Sequence, residues 1–286
     1  MNRWITGARP RTLPAAIVPV AVGASAAVGE PTDVVWWRVA AALVVSLMLQ
    51  VGVNYANDYS DGVRGTDDVR VGPIRLVASG LASPSSVKRA ALLSFGVAAV
   101  AGLAIALSTS LVLLLVGAAA IAAGWFYTGG PKPYGYLGLG EVFVFVFFGL
   151  VATAGTTYAA IESVTALSLV MGCAVGSLAC ALLVINNLRD IPTDREVGKK
   201  TLAVRLGDQR TRWFYVALIG SAFVLSGAGA VWRTPVLLGL AAIPLAVRPI
   251  RLVLGGAAGG ALIPVLGETG RLQLVWGLLV TIGLAV

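Results

Sequence analysis

Long apolar stretches separated by shorter polar connections run through the whole chain. A helix rises 1.5 Å per residue, so ~20 apolar residues are enough to cross the ~30 Å hydrocarbon core of a bilayer. We identify nine candidate stretches, of which the last is short: Leu13–Gly29, Trp36–Val53, Ala90–Leu107, Leu111–Tyr127, Leu137–Ile161, Ala166–Ile185, Trp213–Val231, Val236–Val253 and Leu272–Val286. The pattern predicts an all-α polytopic membrane protein with about nine transmembrane helices.

The composition indicates that lipid is the main solvent of this protein. Hydrophobic residues make up 58% of the 286 positions and charged residues 12%, against about 45–50% and about 25% in soluble domains. The mean hydropathy is +0.89. A soluble domain and a disordered chain are both excluded, since disorder requires low hydrophobicity. The chain has no histidine and only two cysteines, which excludes imidazole catalysis and disfavours a zinc centre.

Basic residues are concentrated on one side of the predicted spans. With the N-terminus inside and the spans alternating, every Lys and Arg except Arg38 and Arg233 falls on the inner side. The positive-inside rule then predicts a multi-pass protein of the cell (inner) membrane with a cytoplasmic N-terminus. The first span resembles a signal peptide, but the membrane character of the rest favours a retained helix. The net charge of +8 describes the cytoplasmic rim, and no nucleic-acid partner is expected.

The inner connections indicate where function lies. We treat residues 1–286 as a single transmembrane domain with cytoplasmic loops at about 58–89, 128–136 and 188–212. The first and last of these loops are rich in charge, whereas the outer connections are short. Because loops carried by a rigid scaffold often hold functional residues, we expect the active site on the cytoplasmic side.

A first acidic cluster begins where the second predicted span ends. Asn54, Asp58 and Asp61 are spaced i, i+4, i+7, and they share one face if that span continues as a helix to Asp61. Asp67 and Asp68 follow in the same loop. Carboxylates at the end of an apolar span are expensive unless they are paired or bind a metal.

A second acidic cluster repeats this pattern after the sixth predicted span. Asn186, Asp190 and Asp194 are spaced i, i+4, i+8, with Pro192 able to bend the helix between them. Eight of the 13 acidic residues lie in the two loops. Clusters of hard oxygen donors without Cys or His favour Mg²⁺ or Mn²⁺. The alternative is that these carboxylates pair with Arg and Lys in solvated loops.

Basic residues on the same side suit a phosphorylated substrate. Mg²⁺ usually bridges one or two carboxylates to substrate phosphates, while Arg and Lys neutralise the remaining oxygens. The third loop contains two glycines followed by Lys132 and is either a plain turn or an anion contact. Glu141, one turn into the fifth span, is either functional or placed at the membrane rim. A cation-coupled transporter is an alternative function, but it predicts carboxylates near the bilayer midplane rather than at span ends.

The paired acidic motifs resemble those of the UbiA-type intramembrane prenyltransferases. That superfamily combines an Asn-x-x-x-Asp-x-x-Asp motif with a later Asp-x-x-x-Asp motif on about nine helices, and the resemblance covers essentially the whole chain. Within the superfamily, the chain is most similar to the enzymes that prenylate 1,4-dihydroxy-2-naphthoate in menaquinone synthesis. The stretches that carry this closer similarity are residues 9–14, 57–67, 72–80, 127–131 and 189–194.

The resemblance implies an enzyme that transfers a polyprenyl chain from polyprenyl diphosphate to the naphthoate, with loss of CO₂ and diphosphate, to give demethylmenaquinol. It implies two Mg²⁺ (Mn²⁺ is possible) and a central cavity open to the cytoplasmic side and to membrane lipid. The implied site residues are Asp58, Asp61, Asp190 and Asp194 as catalytic metal ligands with Asn54; Arg64, Arg75, Lys132 and Asn186 for diphosphate; and Arg9, Arg11 and Tyr127 for the aromatic acceptor. Another aromatic acceptor, such as 4-hydroxybenzoate, is the nearest alternative.

Overall fold

The computed structural model describes residues 2–66 and 74–286, so Asp67 and Asp68 of the first acidic loop lie outside the described residues. Within these ranges the regular elements are helices. They are α1 Arg3–Ala8, α2 Pro14–Ala27, α3 Trp36–Arg64, α4 Pro84–Ser108, α5 Val112–Phe126, α6 Gly140–Ile161, α7 Ala166–Glu196, α8 Leu202–Leu206, α9 Asp208–Gly229, α10 Thr234–Leu254 and α11 Leu262–Ala285.

The all-helical prediction is confirmed, and the chain is a multi-pass membrane protein. In the described part of the chain, six helices are long and apolar enough to cross a membrane: α3, α4, α6, α7, α9 and α10. Helices α2 and α5 are apolar but shorter, and α11 contains Glu268 and Arg271. Each predicted apolar stretch coincides with a helical segment. That nine helices cross the bilayer stays a prediction.

Two helices continue beyond the apolar stretches that predicted them. Helix α3 runs to Arg64 and ends at Gly65, whose φ of 70° provides the left-handed C-cap that glycine adopts easily. Helix α7 continues through Pro192 to Glu196. The loops predicted at 58–89 and 188–212 therefore begin later than expected, because the acidic residues at their starts belong to α3 and α7. The condition that Asn54, Asp58 and Asp61 lie on one continuous helix is met.

Close helix contacts are made at small residues. A Cβ on Gly149 would lie 2.5 Å from the Cα of Gly176, and Gly172 on the preceding turn of α7 is also in contact with α6. Only residues without a side chain permit this approach, which is common between helices in lipid. The segment Phe145–Val151 of α6 is a π-helix at this crossing.

The two basic residues predicted on the outer side bind the connections there. Arg38 donates to Glu162 at 2.7 Å and to the carbonyl of Ser108 at 2.6 Å. Arg233 donates to the carbonyl oxygens of Ser25 (3.1 Å) and Leu284 (2.5 Å). Arg38 is near the start of α3 and the acidic residues are near its end, so these contacts are at the opposite end of the bundle.

An apolar cavity lies between α3, α4, α5 and α6. Its empty volume is about 1220 Å³. Gly117 and Gly155 line it, and an added Cβ at either position would meet nothing within 4 Å, so these glycines leave space rather than make helix contacts. Tyr127, Tyr134 and Phe143 line the end of the cavity near the C-terminus of α5, which is also the side on which the acidic residues lie.

Candidate active site at the ends of α3 and α7

The acidic ends of α3 and α7 meet at Lys199. The ammonium Nζ of Lys199 lies 3.6 Å from Oδ1 of Asp61, and its backbone amide donates to the carbonyl oxygen of Asp194 at 2.8 Å. The hydroxyl of Thr201 donates to Oδ2 of Asp194 at 3.4 Å. The connection after α7 therefore links Asp61 to the end of α7, although Asp61 and Asp194 are more than 130 positions apart in the chain.

Tyr136 completes the contacts of Asp61. Its hydroxyl donates to Oδ1 of Asp61 at 2.5 Å, and Lys199 lies over its ring at 4.6 Å from the centroid. Burial raises the pKa of the Tyr136 hydroxyl. The phenol therefore stays protonated at neutral pH and remains a hydrogen-bond donor. The backbone amide of Lys200 donates to the Tyr136 carbonyl at 2.9 Å, which joins the 128–136 loop to the connection after α7.

The segment that binds Asp61 also lines the cavity. Tyr136 donates to Asp61, and Tyr134, two residues earlier, lines the cavity together with Tyr127. The end of α3 therefore lies beside the mouth of the apolar space.

A second face of α3 holds the 128–136 loop in place. Oδ1 of Asn57 accepts a hydrogen bond from the Thr128 hydroxyl at 2.8 Å. The guanidinium of Arg64 donates to the carbonyl oxygens of Thr128 and Gly130. Arg64 was predicted to bind diphosphate, and in this structure it binds the loop that carries Tyr136.

The second acidic cluster lies on α7. The guanidinium of Arg189 donates to both carboxylate oxygens of Asp190, at 2.6 and 2.8 Å, and both side chains are buried. One turn earlier, Asn187 donates to Oε1 of the buried Glu141 at 2.9 Å. Asn186, predicted to bind diphosphate, donates to the Leu182 carbonyl of its own helix. Asp190 and Asp194 are one turn apart, so they face the site from the same side of α7.

Other predicted site residues lie against the N-terminal segment or in solvent. Asn54 donates to the Ala8 carbonyl at 2.9 Å, and Arg9 donates to the Asn54 carbonyl at 3.3 Å. This contact brings Arg9 to α3, and its role toward the acceptor stays a prediction. Arg11 and Lys132 are exposed. Asp58 is fully buried and binds the turn that follows Arg75.

The donor set fits Mg²⁺ held together with a substrate. Asp61, Asp190 and Asp194 supply hard oxygen atoms, and the ammonium of Lys199 shows that a cation fits beside Asp61. Among residues 2–66 and 74–286, no three acidic side chains form a ready-made metal cage. Mg²⁺ usually takes only one or two carboxylates and completes its shell with water and substrate phosphate, so this arrangement agrees with its chemistry.

Sequence reasoning did not assign roles to three residues that the structure brings to the site. No role was assigned to Asn57 or Tyr136, because neither residue has the sequence spacing that defined the acidic face of the helix. Lys199 was counted only as one of several bases on the inner side. A signal was present for Lys199, since it follows Asp194 by five residues and a helix that ended near Glu196 would turn it back toward the acidic cluster.

The chain is similar to known proteins over nearly its whole length. A 1,4-dihydroxy-2-naphthoate octaprenyltransferase of Mycobacterium tuberculosis is 53% identical over 99% of this chain and 97% of its own length. The apo structure of a UbiA homologue from Aeropyrum pernix superposes with a TM-score of 0.73 at 15% identity, covering 95% of this chain and 97% of that one.

A UbiA homologue from Archaeoglobus fulgidus bound to GPP and Mg²⁺ gives a TM-score of 0.63 at 15% identity, covering 98% and 99% of the two chains. At this identity the two solved structures establish the fold. Residues 16–254 match the UbiA prenyltransferase family. With this match over most of its length and a relative more than half identical in sequence, the chain belongs to the UbiA prenyltransferase family.

Proposed function

We propose that this protein transfers a polyprenyl chain from polyprenyl diphosphate to 1,4-dihydroxy-2-naphthoate. The observation that supports this proposal most directly is that Lys199 links Asp61 to the end of α7 beside an apolar cavity. A charged head and a long apolar tail need such adjoining environments. The name of the relative at 53% identity supports the naphthoate as acceptor.

The head of the donor is proposed to bind at the ends of α3 and α7. Asp61, Asp190 and Asp194 would hold Mg²⁺, which would neutralise the charge that develops on the departing diphosphate. We propose two such ions, with Mn²⁺ as a substitute. Lys199, Arg75 and the exposed Lys132 would neutralise the remaining oxygens. Lys199 must leave Asp61 for this, a movement that a long flexible side chain allows.

The apolar tail of the donor is proposed to lie in the cavity between α3, α4, α5 and α6. The cavity extends from Tyr127 along α5 to Leu113, which is ~21 Å at 1.5 Å per residue. Its lining offers the tail the same environment as lipid, which explains why the enzyme is built in the membrane. We propose that the cavity opens to lipid, so that longer tails continue into the bilayer.

The chemistry required of the protein is positioning and the exclusion of water. The C–O bond of the donor breaks and its electron pair leaves with diphosphate, which creates an allylic cation. The electron-rich naphthoate ring attacks that cation to form a C–C bond, and the ring carboxyl group leaves as CO₂. Tyr127 and Tyr134 shield the cation at the cavity mouth, while Arg9 and Arg11 are proposed to bind the acceptor carboxylate.

The site is proposed to face the cytoplasm from the cell membrane. The inner side defined by the positive-inside rule is the side on which the acidic clusters lie. The carboxylates are at the ends of α3 and α7 rather than at mid-helix, and this position does not favour the transporter alternative.

The most direct test incubates the purified protein in lipid nanodiscs with labelled 1,4-dihydroxy-2-naphthoate, a polyprenyl diphosphate and Mg²⁺. We expect demethylmenaquinol and labelled CO₂ in equal amounts when the label is in the carboxyl group. A parallel reaction contains 4-hydroxybenzoate in place of the naphthoate. Consumption of hydroxybenzoate alone would overturn the acceptor assignment, and no prenylation of either acceptor would overturn the proposed function.

A further inference from the structure

Asp58 binds two backbone amides, and a role as a metal ligand does not account for these contacts. Its side chain is fully buried on α3, one turn before Asp61. Oδ2 accepts a hydrogen bond from the backbone amide of Leu76 at 2.9 Å, and Oδ1 accepts one from the amide of Val77 at 3.1 Å. Hydrogen bonds to an ionised carboxylate are stronger than those between neutral groups. Both oxygens of Asp58 therefore hold the backbone of the turn at residues 76–80.

Close packing seats the same turn on α1 and α3. Leu76 is fully buried, and its Cδ1 lies 2.6 Å from the position that a Cβ on Gly7 would occupy. On α3, a Cβ on Gly62 would lie 2.5 Å from Cγ1 of Val77. Two glycines thus leave room for the two side chains whose amides bind Asp58, and the turn fits only when both positions stay small.

The anchored turn begins directly after Arg75. Consecutive Cα atoms are ~3.8 Å apart, so the hydrogen bond from the Leu76 amide to Asp58 fixes the backbone of Arg75 beside α3. Asp58 and Asp61 are on neighbouring turns of that helix. Arg75 is therefore held close to the carboxylate that is proposed to bind metal, where a guanidinium suits a diphosphate oxygen.

We infer that Asp58 is a positioning residue that fixes Arg75 for diphosphate binding, and that it is not a metal ligand. This inference rests on the proposed function. The two aspartates of the first acidic motif then have different roles. Asp61 lies beside Lys199 and the cavity mouth, whereas Asp58 binds the turn that follows Arg75. The metal role predicted for Asp58 from its spacing is thereby replaced.

A double-mutant cycle distinguishes the two roles of Asp58. Asp58→Asn keeps the shape of the side chain but offers an amide group to one of the two backbone donors. We expect Asp58→Asn and Arg75→Ala each to lower kcat/KM for polyprenyl diphosphate by about 10- to 100-fold. The kcat/KM of the double variant should be no lower than that of the less active single variant. The Mg²⁺ concentration for half-maximal rate should stay within about twofold of wild type, because positioning does not change the metal ligands.

A metal ligand would give a different result. Asp61→Asn serves as the comparison and is expected to raise the Mg²⁺ requirement strongly. An equally large rise for Asp58→Asn, or losses of Asp58→Asn and Arg75→Ala that multiply in the double variant, would overturn the inference.

A second pair of variants moves the turn without changing Asp58. Gly62→Ala places a methyl group against Val77, so it should lower kcat/KM for the diphosphate while leaving the Mg²⁺ requirement unchanged. Val77→Ala removes the atoms in that clash and should restore most of the activity of Gly62→Ala. Failure of the rescue, or wild-type kinetics in Gly62→Ala, would contradict the positioning role. The wild-type protein is assayed before any variant. If it prenylates neither acceptor, the proposed function has failed, and this outcome is distinct from failure of the positioning role.

Discussion

Replacing either Asp61 or Asp194 by asparagine is expected to lower kcat by at least ~10³-fold, as is typical when a group that stabilises departing charge is removed. The amide has nearly the same size as the carboxylate, but it carries no charge to hold a cation. In Asp61→Asn the ammonium of Lys199 also loses its partner at 3.6 Å. The measurement is the steady-state rate of prenylation by purified variants in nanodiscs.

Asp33→Asn provides a matched control for these variants. Asp33 is exposed in the connection between α2 and α3, at the end of α3 opposite to the acidic residues. Substitutions of exposed residues usually change stability by no more than about 0.5 kcal/mol, so the variant should keep near-wild-type activity. Helical content by circular dichroism should be equal in all variants. Turnover of Asp61→Asn or Asp194→Asn within tenfold of wild type would reject the carboxylates as metal ligands.

Removal of divalent metal is the second change for which we expect a loss of at least ~10³-fold in rate, because the diphosphate must leave with its charge neutralised. Dialysis against EDTA should abolish turnover, and Mg²⁺ or Mn²⁺ should restore it. The metal-free protein should keep its fold, since the described helices are joined by contacts between protein groups. Lys199 and Tyr136, for example, bind Asp61 directly.

Dependence on metal also separates the mechanism from a simpler one. If Arg and Lys alone neutralised the diphosphate, turnover would continue in EDTA. Sustained product formation in buffer stripped of divalent cations would show that the carboxylates serve only as partners of basic residues, which was the alternative that their sequence pattern left open.

The hydrophobic pattern was enough to predict the helices but not where two of them end. Runs of apolar residues identify the part of a helix that contacts lipid or other helices. Beyond the apolar run, the helical Asp58 has partners in a neighbouring segment, Leu76 and Val77. The helical Asp190 is paired with Arg189, the preceding residue of the same helix. Hydropathy contains no information about such partners, so it placed the helix ends too early.

The spacing of Asn54, Asp58 and Asp61 predicted that they share one face of the helix. It did not predict that different residues of this face contact different elements. With 3.6 residues per turn, Asp61 is ~60° from Asp58 and ~40° from Asn57 around the helix axis. A face this wide contacts more than one element, so Asp58 binds the turn at 76–80 while Asn57 binds Thr128. Which element covers which part of the face depends on long-range packing, and no local pattern encodes it.

The central claim is that the ends of α3 and α7 form one site for a metal diphosphate. It is tested most directly by calorimetric titration of inorganic pyrophosphate, with and without Mg²⁺, into wild type, Asp61→Asn, Asp194→Asn and the double variant. We expect one Mg²⁺-dependent site per chain, at least a ~100-fold weaker affinity in each single variant, and no further loss in the double variant because both residues act on the same ligand. Wild-type affinity in either single variant, or independent losses that multiply in the double variant, would contradict the account.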